Sequence, residues 1–144
     1  MEFYGTANVR TTPERLAQAL TVECLPEFCA SIHAFQADAE NGGEMSCVWG
    51  KHHLHRDLIN GGVRFCLDHC QNALAWTITT GHPPCPDKVV IHCTINRPGQ
   101  DPELVKTIEA FVANWAKGLE ANLSAGKPGH SPNLIPICAS RDIA

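Results

Sequence analysis

The residues with the most chemistry in this chain are its cysteines and histidines, eight of each. Half of them fall in three groups. His52, His53 and His55 are interleaved with Leu54, Cys66-x2-His69-Cys70 follows, and His82-x2-Cys85 lies close behind. Taken together, Cys66, Cys70, His82 and Cys85 are the ligand types of a tetrahedral zinc site. The stretch between them argues otherwise. ALAWTITT reads as a strand, and at about 3.3 Å per residue it holds Cys70 and His82 roughly 25 Å apart. Ligands of one zinc ion must lie within about 2.3 Å of it.

A second grouping follows from chain direction. Successive turns of a meander alternate between the two ends of a sheet, which puts turn 57–62 and loop 81–87 at the same end. That end gathers His55, Asp57, His82 and Cys85, with His53, Cys24 and Cys29 as neighbours. The candidate metal ligands are therefore His55, His82 and Cys85. His53 joins them because residues two apart on a strand point the same way. Imidazole and thiolate suit zinc, copper, iron or nickel, so the expected cofactor is a transition metal such as zinc. The competing reading makes the histidines a solvated strand edge and the cysteines core filler, since free cysteine is among the most buried residue types.

A nucleophilic Cys/His pair is the enzymatic alternative. His92 and Cys66 can share a sheet face, whereas adjacent His92 and Cys93 cannot. No Gly-rich phosphate loop, nucleophile elbow, HExxH or paired-carboxylate motif is present, so no catalytic residue is assigned.

The elements that position these groups can be read in order. Thr12-Pro13-Glu14 starts a helix with a hydroxyl cap, proline in the first turn and an acid at the positive end of the dipole. Pro26 is expected to end it, because Leu25 is pushed out of the α region. Residues 28–38 lean towards strand, ahead of a turn at Asn41-Gly42. Residues 44–59 read as one long strand or two with a bulge at Gly50. Asn60-Gly61-Gly62 is a hairpin turn. Val63, Phe65 and Leu67 then alternate with Arg64, Cys66 and Asp68, and Leu74, Trp76 and Ile78 with Ala75, Thr77 and Thr79. Three prolines make 82–86 a stiff loop, and residues 88–96 form the last strand. Asp101-Pro102-Glu103 opens a long amphipathic helix with Leu104, Ile108, Phe111, Trp115 and Leu119 on one stripe.

The fold these imply is α+β: an antiparallel meander of about five strands packed on an N-terminal helix and a long C-terminal helix, a two-layer sandwich. Residues 1–126 form the single domain. Residues 127–144 are a Pro/Gly-rich tail that docks on the domain or on a partner copy.

Composition narrows the function classes. A formal net charge of −4 with pI near 6.0 gives no basic patch for nucleic acid. No apolar run approaches a membrane span, and the N-terminus lacks the pattern of a signal peptide, which points to the cytoplasm. The leading expectation is a small non-catalytic binding or interaction protein that uses an open sheet face and pairs as a homodimer, its partner a small molecule or protein. The alternatives are a metal- or redox-responsive protein with a His/Cys site and a small Cys/His enzyme.

Overall fold

The computed structural model describes residues 1–83, 85–96 and 101–123. The strands are β1 (Glu2–Ala7), β2 (Ile32–Ala39), β3 (Gly42–Cys47), β4 (Gly50–Ile59), β5 (Gly62–Leu67), β6 (Ala75–Thr80) and β7 (Val89–Thr94). They form one seven-stranded sheet in the order β1-β7-β6-β5-β4-β3-β2, every pair antiparallel. Helix α1 (Pro13–Ala19), a 3-10 turn (Val22–Cys24) and α2 (Leu25–Phe28) lie between β1 and β2, and α3 (Pro102–Asn122) follows β7. The α+β class, the antiparallel sheet and the long C-terminal helix are as the sequence implies. The proposed tail at 127–144 lies outside the described residues.

The sheet has seven strands, not about five. One addition is β1, which pairs with β7 across some 90 positions of sequence, from Glu2↔Thr94 to Ala7↔Val89. Its Gly5 is where α3 crosses closest, since a Cβ there would stand 2.5 Å from Val112 Cγ1. The other addition comes from residues 44–59, which are not one bulged strand. β3 and β4 form a hairpin closed by the pair Cys47↔Gly50 around Val48-Trp49. Gly50 has φ +100°, a conformation that costs glycine nothing. This extra reversal moves Ile32 and Cys29 to the end of the sheet opposite turn 60–61, away from His82 and Cys85.

Pro26 does not terminate the first helix. α1 stops at Leu20 (φ −97°, ψ 64°). Leu25 is in the α region (φ −54°, ψ −43°), and Pro26 lies in the first turn of α2. A first-turn residue has no intrahelical use for its N–H, so proline costs nothing there.

α3 is capped as its sequence implies, with the Glu103 backbone N–H donating to Asp101 Oδ1 at 3.1 Å. It buries Ile108, Phe111, Val112, Trp115 and Leu119 against the inner face of the sheet. That face presents Val63, Phe65, Trp76, Ile78 and Ile91, all fully buried. The rings interlock, with Trp76 edge-on to Phe111 at 4.8 Å between centroids and Phe65 against Trp76 at 5.3 Å. Each large apolar side chain so buried stabilises the fold by about 1.5–3 kcal/mol. Gly118 lets α3 meet α2, because a Cβ there would collide with the Phe28 carbonyl. The outer face of the sheet carries the alternate residues of each strand and has no helix over it among the described elements.

Candidate functional site

Two places on this scaffold carry chemistry. The first is a cavity at the end of the sheet where the β3–β4 and β5–β6 turns meet the first turn of α3. It measures about 360 Å³. Trp49, Leu67, Leu74 and Leu104 supply apolar wall, His52, His69, Gln71 and Asn72 supply polar groups, and Cys70 completes the lining.

Its shape follows from the packing. Deeper between sheet and helix, Phe65, Trp76, Phe111 and Trp115 fill the space. Nearer the end, Trp49 is held as a fixed wall. Its ring lies 5.0 Å from that of Phe111, and its Nε1–H donates to Thr107 Oγ1 at 2.8 Å. The Thr107 hydroxyl in turn donates to the Leu104 carbonyl at 2.7 Å.

The other wall is the β5–β6 loop. Leu67 N–H donates to the Leu74 carbonyl at 3.1 Å, and Asn96 N–H to the Asn72 carbonyl at 2.8 Å. Within this loop His69 (φ 59°) and Ala73 (φ 49°) adopt left-handed backbone. For side chains with a Cβ this costs about 1–2 kcal/mol each. Strain of this kind concentrates at binding and catalytic sites.

The second place is the outer face of the β4–β5 hairpin. The pairs Leu54↔Leu67 and His55↔Cys66 set the register, and Asp57↔Arg64 continues it. Alternation then puts His53, His55 and Asp57 of β4 on one surface with Arg64, Cys66 and Asp68 from β5 and its end. Asp68 bridges the two histidines, with Oδ2 2.7 Å from His53 Nδ1 and Oδ1 2.7 Å from His55 Nδ1. His53 Nε2 reaches Asp38 Oδ2 at 3.1 Å, and His55 Nε2 reaches Asp57 Oδ2 at 3.3 Å. Arg64 ends this chain of contacts, 3.6 Å from Asp57 Oδ2. The hydrogen bonds that Asp68 and Asp38 accept from His53 raise its pKa. Burial works against the Asp68 carboxylate, yet bonding to His53 and His55 holds its pKa below the ordinary value.

The expected ligand set is divided by this geometry. His82 and Cys85 lie in the β6–β7 loop, where His82 packs over Gly61 so closely that a Cβ there would stand 2.5 Å from His82 Nε2. His55 sits four residues back along β4 from the Ile59↔Gly62 pair, roughly 13 Å away at strand spacing. Among the described residues, the ligand atoms gathered within 4.8 Å of one another belong to His55, Asp57 and Cys66. His53 shares their face and is held by Asp38 and Asp68. Cys66–Cys70 and His82–Cys85 lie at opposite ends of β6, as the strand reading of ALAWTITT requires. His92 is on the outer face too, but it pairs with Glu2 at 2.9 Å and stacks on Tyr4.

Sequence reasoning passed over the cavity residues and the Asp57/Cys66 pairing. The signal for the second was the two-residue turn Asn60-Gly61, from which the register can be counted.

No family model matches the chain, and no curated protein matches it in sequence. Solved structures do share its fold. The protein XoxI from Bacillus cereus matches with a TM-score of 0.60 at 11% identity, over 83% of this chain and 93% of that one. A START superfamily protein from Mycobacterium smegmatis matches with 0.57 at 14% identity, over 83% and 94%. An uncharacterised protein from Bacillus thuringiensis matches with 0.60 at 10% identity, over 84% and 97%. At such identities the likeness concerns architecture alone: an α+β fold with an antiparallel sheet and a long C-terminal helix. No helix among the described residues is long and apolar enough to cross a membrane.

Proposed function

We propose that this chain is a non-catalytic binding protein that takes a small, largely apolar organic molecule into the cavity between Trp49, the β5–β6 loop and the start of α3. The observation that carries this reading is the cavity itself. Its volume of about 360 Å³ falls in the range of small-molecule sites, roughly 300–1,000 Å³. An aromatic or branched aliphatic body would pack on Trp49, Leu67, Leu74 and Leu104. A polar or anionic end would meet His69, Gln71 or Asn72 at the rim. The START-like architecture of the neighbouring structures supports the same reading.

The outer face is a poorer place for such a ligand. Asp38, His53, Asp68, His55, Asp57 and Arg64 form a hydrated chain of polar and charged groups across it, which an apolar molecule would have to desolvate. Three of the thiols are poorly suited to nucleophilic chemistry. Burial raises the Cys66 pKa, and it pushes Cys29 and Cys93 up to about 12. A thiol must ionise to attack.

The amphipathic fluorophore 1-anilinonaphthalene-8-sulfonate serves as a test ligand. Saturable binding at one site per chain, abolished by Leu104→Trp and unchanged by His55→Ala, is the expected result. Leu104 lies on the first turn of α3 and is only half-buried, so the larger ring fills the cavity without disturbing the core. Binding that ignores Leu104→Trp would contradict the reading.

A further inference from the structure

We propose that His55, Asp57 and Cys66 form a transition-metal site of the zinc type on the outer face of the β4–β5 hairpin, with a coordination position left for water or a ligand. The site is independent of the cavity and lies on the opposite side of the sheet.

The argument begins with the register. His55 and Cys66 are directly opposed across the two strands, which brings their Cβ atoms to about 4.5–5.5 Å. Asp57 is two residues beyond His55 and so shares its face. A His55 ring nitrogen, an Asp57 carboxylate oxygen and Cys66 Sγ consequently all lie within 4.8 Å of one another. His55 Nε2 is already 3.3 Å from Asp57 Oδ2. In a tetrahedral site with bonds of about 2.0–2.1 Å to nitrogen and oxygen, the ligand atoms stand about 3.3 Å apart. Little side-chain movement is needed to close the site around an ion.

The surrounding residues prepare His55 for this role. Asp68 Oδ1 accepts from His55 Nδ1 at 2.7 Å. That bond places the proton on Nδ1 in the neutral ring and leaves the Nε2 lone pair on the Asp57 side. Metal-bound histidines characteristically carry such a carboxylate on the second nitrogen. Asp68 is itself fixed from the other side by His53 at 2.7 Å. Nitrogen, carboxylate oxygen and thiolate together select zinc or cobalt over calcium or magnesium. As the metal–sulfur bond forms, the Cys66 thiol gives up its proton to solvent.

Cobalt(II) titration of the reduced protein tests the proposal, because a cobalt–thiolate bond has its own charge-transfer absorption. The expected result is a band saturating at one cobalt per chain and displaced by zinc. It disappears in Cys66→Ser and persists in Cys70→Ser and Cys85→Ser. Asp68→Asn keeps the band but weakens the affinity by about 10–100-fold, the usual effect of losing an outer carboxylate. All these side chains are at least partly exposed, and a far-ultraviolet circular dichroism spectrum matching wild type confirms folding. No thiolate band at any cobalt excess, or one that survives in Cys66→Ser, overturns the proposal.

Discussion

His55 and Cys66 face each other directly across β4 and β5, and the Asn60-Gly61 turn is what puts them there. A two-residue hairpin loop fixes the register of the strands it joins, and Gly61 takes up the positive φ (+97°) of this turn. One inserted residue would send every side chain of one strand to the wrong face. The metal site is thus a consequence of the turn as much as of its ligands. Arg64 is the group that opposes it, standing 3.6 Å from Asp57 Oδ2. Replacing it with glutamine should tighten cobalt binding by about tenfold, the effect of removing one positive charge about 6 Å from a divalent ion in water. Unchanged or weaker binding in Arg64→Gln would show that the guanidinium does not compete.

Arg56 illustrates how the sheet completes the helices. α1 has no basic residue in its last turn. Arg56 reaches over from β4, donating through Nε to the Leu20 carbonyl at 2.7 Å, through Nη2 to the Ala17 carbonyl, and through Nη1 to Asn41 Oδ1 at 2.8 Å. A cation at the C-terminal end of a helix also satisfies its dipole. Arg56→Met keeps much of the packing and removes the donors, so chemical denaturation should show a loss of about 2 kcal/mol.

The strained β5–β6 loop predicts the opposite sign. Ala73 sits at φ 49°, where a Cβ costs about 1–2 kcal/mol. Glycine escapes that cost but has more freedom to lose on folding, about 0.5–1 kcal/mol. Ala73→Gly should therefore raise stability by about 0.5–1 kcal/mol in equilibrium unfolding. A destabilised variant would mean that the methyl group makes packing contacts worth more than the strain.

Thiol reactivity should divide the cysteines by burial. Cys29 and Cys93 are fully enclosed, with pKa values pushed up to about 12 by loss of hydration. At about pH 8 they should resist iodoacetamide until the protein unfolds, because alkylation needs an accessible thiolate. Mass mapping should find Cys70 and Cys85, both half-exposed, modified first, and zinc should protect Cys66 alone.

How much of this was legible depends on range along the chain. α3 could be read whole, since its cap, its proline and its apolar stripe are local signals that tertiary packing reinforces. The β4–β5 hairpin was equally clear from Asn60-Gly61. β1 was not, because EFYGTA contains a glycine, alternates weakly and finds its partner only at β7. The β3–β4 turn was hidden for a different reason. Val48 and Trp49 are strand-forming residues, and the glycine that permits the turn comes after them, at position 50. Missing that reversal placed Cys29 at the wrong end of the sheet. A pocket between the long helix and the sheet could be guessed, but not its place, since the cavity forms only where two loops meet the first turn of α3.

The central claim is that the cavity beside Trp49 binds an apolar small molecule, and backbone amide mapping by NMR tests it most directly. Titration with 1-anilinonaphthalene-8-sulfonate should shift the Trp49 indole N–H and the amides of Leu67 to Leu74 and Leu104, leaving His53, His55 and Asp57 on the opposite face unmoved. Shifts confined to the outer face, or scattered with no cluster at Trp49, would contradict it.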